Sequence, residues 1–246
     1  MPGKLINAAF PFVVRVVSID ALAADARRPA PDFGPGSGPA PGPGAVAAPE
    51  AGAIAPLKVA DVIAGLLGLD QSRDSFVADV GDCWFIGLEL RADVFLAPGY
   101  YASMGFGVPG APGAGMADPT RRPFALVGDG AFQMTGTELA TMVDQRLRPI
   151  VLLLNNGSYG MLEAFDRPRA YDDRRPWDDL AMARALGFVA ERASTAAGFR
   201  AAMARAEDSE APCLIEATIA KDDLSPFPGR IEAHLTEVKR GAVMLS

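Results

Sequence analysis

The sequence predicts an α/β fold, a doubly wound and mostly parallel sheet with helices on both faces. Two observations carry this. Phe124–Val127 and Ile150–Leu154 are apolar runs with the length and branching of strands buried on both faces. Between them the pattern predicts a helix over roughly Gly136 to Arg146. Thr135 or Thr137 is placed to cap it, Leu139, Met142 and Val143 form its apolar stripe, and Pro149 ends helical structure before the second run. Strand, helix, strand at this length is a βαβ unit with a right-handed crossover and parallel strands. The second observation is that the same alternation continues on either side of this unit.

Taken in order, residues 1 to about 28 read as a strand, Phe12–Val17, then a short helix, Ile19–Arg27. This is too little to fold alone and reads as the remnant of a preceding domain. Residues 29–56 contain eight Pro and six Gly, so burial there does not offset ordering entropy and a linker is expected. The globular pattern, assigned to residues 57–246, begins at Leu57. Val59–Leu67 is a predicted helix, Ser75–Val80 a strand, and a helix or loop follows Gly81-Asp82-Cys83 through Glu89. Val94–Leu96 is a short strand. Ala97–Gly110 is rich in small residues, which suits close approach by a ligand and a helix starting near Met104. Beyond the βαβ unit come a helix at Asp178–Leu186, a strand at Phe188–Ala190, a helix at Ala196–Ala206 and a strand at Cys213–Ile219. A closing helix is expected at Ile231–Arg240.

Composition narrows the function classes. The 246 residues are half hydrophobic, enough for one good core. The net charge is −7 without a basic block, which disfavours nucleic acid and anionic membranes as partners. Cys83 and Cys213 make neither a disulfide framework nor a zinc site and read as buried small hydrophobes. With no apolar run of transmembrane length and a poor signal sequence, a soluble cytoplasmic protein is expected.

The chemistry-bearing residues sit at the ends of the two strands. Gly128-Asp129-Gly130 follows the first and Asn155-Asn156 the second. Both emerge at the carboxyl edge, where open α/β sheets bind ligands. Asp129 offers a carboxylate oxygen and Asn156 an amide oxygen. Such hard donors suit Mg²⁺, which shares its shell with phosphates. Gly128 and Gly130 allow a tight turn and close approach to a diphosphate.

GDG, then NN with Asn156 27 positions after Asp129, resembles the fingerprint of the thiamin diphosphate enzymes. Val80-Gly81-Asp82-Cys83, Ala97–Pro109, Gly128–Glu138, Asn155–Phe165 and Leu214–Ala217 narrow the resemblance to 2-oxo acid decarboxylases of the phenylpyruvate and indolepyruvate branch. It covers about residues 75–220, the domain that binds the cofactor's diphosphate. The resemblance implies that Asp129, Asn156 and the Ser158 carbonyl hold Mg²⁺. It also implies that Met104 wedges the cofactor into its bent shape, that backbone groups of Ala102 and Met104 hold the aminopyrimidine edge, and that Gly130, Ala131 and the Asp82 region flank the diphosphate. Gly128, Ser103 and Tyr159 complete the cofactor-binding set.

Many pyruvate decarboxylases carry a catalytic Glu six positions after the metal-binding Asn. Leu162 stands there, and Glu163 follows, rotated by about 100° on a helix. Met104 and Leu162 thus fall at the expected catalytic centre. Met161, Leu162 and Phe165 are expected to line an apolar pocket for an aromatic or long-chain 2-oxo acid. The family also needs a pyrimidine-binding domain with a Glu, an Asp and a His pair, whereas His234 is the sole His here. The expectation is a thiamin diphosphate- and Mg²⁺-dependent carboxy-lyase, a homo-oligomer or a complex with a pyrimidine-binding half, and inactive as an isolated chain. Acetolactate synthase-type carboligation and a non-catalytic cofactor-binding or assembly module are the alternatives.

Overall fold

The computed structural model describes residues 55–165 and 170–227, without the side chains of Ala164 and Phe165. The expected elements within residues 12–27, the linker up to residue 54 and the closing helix at 231–240 lie outside these. The described chain runs α1 (Val59–Leu67), β1 (Asp74–Ala78), α2 (Asp82–Leu88), β2 (Val94–Leu96), α3 (Gly107–Ala117), β3 (Arg122–Gly128) and α4 (Asp129–Thr135). A 3₁₀ turn (Gly136–Glu138), α5 (Leu139–Asp144), β4 (Ile150–Asn155), α6 (Gly160–Phe165), α7 (Asp179–Ala185), β5 (Val189–Ala193), α8 (Ala196–Asp208) and β6 (Cys213–Thr218) follow.

The six strands form one parallel sheet in the order β2-β1-β3-β4-β6-β5. Alternation along each strand feeds two cores. Phe76, Phe124, Leu126, Leu152 and Ile215 face one side, with Val62 and Leu66 of α1, Ile86 of α2 and Phe199 of α8. Val77, Ala125, Val127, Leu153 and Leu214 face the other, with Val108 of α3, Phe132 of α4, Met142 of α5 and Ala183 of α7. This is the predicted doubly wound sheet. Phe76 and Phe124 stack across β1 and β3 with centroids 4.8 Å apart. Both cysteines are free and buried, as expected of small hydrophobes.

Three local expectations are corrected. The helix expected over Gly136–Arg146 is the 3₁₀ turn followed by α5, which ends at Asp144, and helical structure already starts at Asp129 with α4. Neither threonine caps it; Thr135 Oγ1 instead donates to Gly105 O at 3.0 Å. The helix expected near Met104 begins at Gly107, because Ala102 and Gly105 hold φ values of 55° and 88°, which no right-handed helix accepts. The small residues of α3 also serve packing. A Cβ on Gly110 would lie 2.8 Å from Val77 Cγ1, and one on Gly115 would lie 2.5 Å from Pro123 Cγ. The strand expected at Phe188–Ala190 runs from Val189 to Ala193, where five positions register with β6.

At the amino edge Arg122 donates to Arg148 O at 2.5 Å and to Ala206 O, at the end of α8, at 2.7 Å. Nearby Asp74 is buried, and burial lifts its carboxyl to about 6 although Arg122 opposes the shift. A folded-state value above the ordinary 3.8 means the folded chain binds this proton more tightly than the unfolded one. Asp74 therefore costs stability above pH 6, and the cost fades as pH falls toward 4. Asp74→Asn is expected to stabilise the chain at pH 8 by on the order of 2 kcal/mol and to match wild type near pH 4. Urea unfolding at the two pH values checks this; destabilisation at pH 8 would contradict it.

Candidate functional site

Strands β1, β3 and β4 are neighbours and end at one edge, with Ala78 level with Leu126 and Gly128 level with Leu154. The chain leaves β1 into α2 on one face and leaves β3 into α4 on the other. The crevice between these strand ends is the topological switch point, where open α/β sheets bind ligands.

Asp129 sits in it with a side chain only 2% exposed. Its Oδ2 accepts from Gly157 N at 2.9 Å and from Arg174 Nε at 2.6 Å, while Oδ1 accepts from Gly130 N at 3.0 Å. Burial pushes the carboxyl up; the Arg174 guanidinium and the two amides oppose the shift. Arg174 is equally buried and reaches Asp179 Oδ2 and Asn155 Oδ1, both at 3.4 Å. Burial raises Asp179 to about 6, and its Oδ1 is buried with no hydrogen-bond partner among the described residues. The network continues along the strand ends. Asn155 Nδ2 donates to Glu216 Oε1 at 2.6 Å, and Arg192 on β5 closes on Glu216 Oε2 at 2.9 Å.

The Asn pair thus divides its work. Asn155 turns into the network, and Asn156 bends the chain over, its Oδ1 accepting from Ser158 N at 3.0 Å. Gly157 takes φ 70° in that turn, a value that favours glycine. Tyr159 lies on Gly130 so closely that a Cβ there would stand 2.3 Å from the ring. A Cβ on Gly128 or Gly157 would meet nothing within 4 Å, so both turns border open space.

The loop carrying Ala102, Ser103 and Met104 is tied in from two sides. Asp79, at the end of β1, accepts from Gly105 N at 3.0 Å and from Gly107 N at 2.7 Å. Burial pushes its carboxyl up, against the pull of the Gly107, Val80 and Gly105 amides. Thr135 of α4 holds Gly105 O. Ala102 keeps φ 55°, a conformation costly to a residue with a Cβ and held by this surrounding structure. Met104 is left 37% exposed beside the crevice.

The remaining predicted residues are placed less directly. Ala131 is buried in the first turn of α4. The Asp82 carboxylate accepts from Ser225 N and from Ser225 Oγ, so it faces the segment after β6. Met161 Cβ stands 3.6 Å from where Gly81 would carry its own Cβ, which brings α6 against the end of β1. Leu162 is exposed, and the Phe165 side chain lies outside the described residues. Glu163 turns elsewhere. Its Oε1 accepts from Ser158 Oγ at 2.5 Å and pairs with Lys221 at 2.9 Å, contacts that hold its carboxyl below the ordinary range.

The donor chemistry fits a hard divalent cation bound with phosphate. Asp129 Oδ1 carries one protein hydrogen bond and keeps lone-pair capacity, Asn156 precedes the Gly157 amide that ties its turn to Asp129, and Gly128 and Gly157 leave room. Among the described residues no cluster of three His, Cys, Asp or Glu groups forms an all-protein cage. Such a site relies on ligand oxygens to complete the shell, as Mg²⁺ sites commonly do.

Sequence reasoning missed Asp79, Arg174 and the Asn155–Glu216 link. Asp79 had a signal, a carboxylate at the end of a buried strand. Arg174 had none: within Asp172-Asp173-Arg174-Arg175 it reads as one more solvated charge.

Residues 79–217 match the family described as thiamine pyrophosphate enzyme, C-terminal TPP binding domain. The indole-3-pyruvate decarboxylase of Azospirillum brasilense is 39% identical over 173 residues, covering 70% of this chain and 32% of that protein. A pyruvate decarboxylase of Neurospora crassa is 30% identical over 183 residues, covering 69% of this chain and 31% of its own length. The solved thiamine diphosphate-dependent 4-hydroxybenzoylformate decarboxylase of Rhodococcus jostii RHA1 superposes with a TM-score of 0.61 at 25% identity, covering 76% of this chain and 36% of that one. The chain thus spans about a third of the length of these relatives. With residues 79–217 matched and a doubly wound sheet built around them, the chain belongs to the thiamine pyrophosphate enzymes and carries their C-terminal TPP binding domain.

Proposed function

We propose that this chain binds the diphosphate of thiamin diphosphate through Mg²⁺ and forms one half of an enzyme that decarboxylates a phenylpyruvate- or indole-3-pyruvate-type 2-oxo acid to an aldehyde. The observation that carries this reading is the joining of Asp129 to the Asn155–Ser158 turn across adjacent strand ends. When bound, the cofactor supplies a nucleophilic carbon for the keto group and a cationic ring that accepts the electrons released with CO₂.

The chain's own residues bind and orient. Asp129 Oδ1, the Asn156 amide oxygen and the Ser158 carbonyl would hold the metal. Gly128, Gly130, Ala131 and Tyr159 would border the diphosphate, with Asp82 near it. Ala102, Ser103 and Met104 sit on a braced loop, so Met104 can act as a fixed wedge. Met161, Leu162 and Phe165 would line the substrate side and exclude water. Glu163, held ionised by Ser158 and Lys221, is unsuited to donating a proton. Proton transfer and engagement of the pyrimidine are left to a pyrimidine-binding half. The exposed Tyr100, Tyr101, Met134, Leu162, Tyr171 and Trp177, on segments following β2, β3 and β4, support contact with such a half.

Asp129→Ala is expected to weaken Mg²⁺-dependent thiamin diphosphate binding by more than about tenfold and to lower the melting temperature, because Arg174 is left buried without this partner. Calorimetric titration, paired with a thermal melt, checks it; unchanged affinity would remove the metal assignment. Residues 1–246 alone are expected to give no turnover in a coupled aldehyde assay with phenylpyruvate, cofactor and Mg²⁺. Adding the pyrimidine-binding half of a 2-oxo acid decarboxylase is expected to produce aldehyde. Turnover by the chain alone would overturn the need for a second half. Condensed hydroxy-keto products would favour a carboligase, and silence with the half bound would favour a non-catalytic module.

A further inference from the structure

Arg174 is the feature that the proposed reaction does not use. It is a cation buried to the same 2% exposure as Asp129, pressed against one oxygen of the carboxylate assigned to the metal. From this geometry we infer that Arg174 is a positioning residue that restricts Asp129 to one-oxygen metal ligation and, as a resident cation, weakens the site's hold on divalent metal. The inference rests on the metal reading of Asp129 given above.

Oxygen count carries the first half. Oδ2 already accepts from Arg174 Nε at 2.6 Å and from Gly157 N at 2.9 Å, which fills its acceptor capacity. Oδ1 accepts only from Gly130 N at 3.0 Å among the described contacts, so it alone can take a metal. Charge carries the second half. The two cations share one buried carboxylate, and like charges a few ångström apart away from water repel more strongly than at a surface. Arg174 is tied through Nε to Asp129 Oδ2 at 2.6 Å by a charge-assisted hydrogen bond. It is also held from behind, by Asp179 Oδ2 and Asn155 Oδ1 at 3.4 Å, and so cannot swing away as a surface arginine would.

The test removes the local cation without changing the summed charge of the cluster. Arg174→Met with Asp179→Asn deletes one positive and one negative group and leaves Asp129 in place. Arg174→Gln is a second variant that keeps a hydrogen-bond donor for Oδ2. Mg²⁺ is titrated calorimetrically into each chain with a fixed excess of thiamin diphosphate, beside wild type, Arg174→Lys and Asp129→Ala. Both neutral variants are expected to bind Mg²⁺ at least about fivefold more tightly than wild type, and Arg174→Lys to stay near wild type. A merely structural role for Arg174 would move affinity the other way, because a loosened Asp129 binds more weakly. Unchanged or weaker binding in the neutral variants, with Asp129→Ala abolishing it, overturns this inference alone. Binding that survives Asp129→Ala overturns the metal reading and this inference with it.

Discussion

The site depends on one desolvated carboxylate. Asp129 comes out of water at the end of β3, and its charge is compensated by Arg174 and by the Gly157 and Gly130 amides. Removing one partner from a buried pair typically costs about 3–5 kcal/mol, because the survivor is left uncompensated. That penalty makes the arrangement cooperative. The Asn155–Ser158 turn must close for Gly157 to reach Oδ2, and the segment after α6 must fold back for Arg174 to reach the same atom. The carboxylate thereby draws chain segments 28 and 45 residues distant onto one strand end.

The sheet makes this possible and limits it. Parallel strands put β1, β3, β4, β6 and β5 ends on one edge, so polar side chains at those ends meet in a row. Asp129, Arg174, Asn155, Glu216 and Arg192 use that row as one hydrogen-bonded line from the switch point to the outer strand. Asp79 does the equivalent on the other side, where its carboxylate fixes the backbone on both sides of Phe106. Met104 sits on the loop that this bracing holds. The candidate site residues are thus carried by turns tied to the strand ends beneath them.

Much of this was legible where the signal was local. Val59–Leu67 and Val94–Leu96 occur as read; the helix shows its apolar period, and the strand is a short apolar run that pairs with β1. GDG and NN were legible because each motif is contiguous and strand-terminal. Boundaries failed where backbone conformation intervened. Met104 could not open a helix beside a residue at φ 88°, and a continuous apolar stripe over Leu139–Val143 concealed the 3₁₀ break before it. Arg174 was illegible for another reason. A buried and a solvated arginine look alike in sequence, and only the fold shows that this one returns to Asp129. Leu162 at the family's Glu position was visible at once, but the fate of Glu163, bound to Ser158 and Lys221, needed coordinates.

Hydrogen bonds of the fold itself hold the turns that carry the candidate site. Residue-resolved amide hydrogen exchange on the ligand-free chain tests this most directly. Gly105, Gly107, Gly157 and Ser158 each donate a backbone N–H to a buried or turn-forming carboxyl or amide oxygen. These four amides are expected to exchange slowly without cofactor or Mg²⁺, within about tenfold of the amides of β3, and to change little on ligand addition. Exchange at the rate of an open loop, slowing only when cofactor and metal are added, would show that ligand, and not these hydrogen bonds, orders the turns.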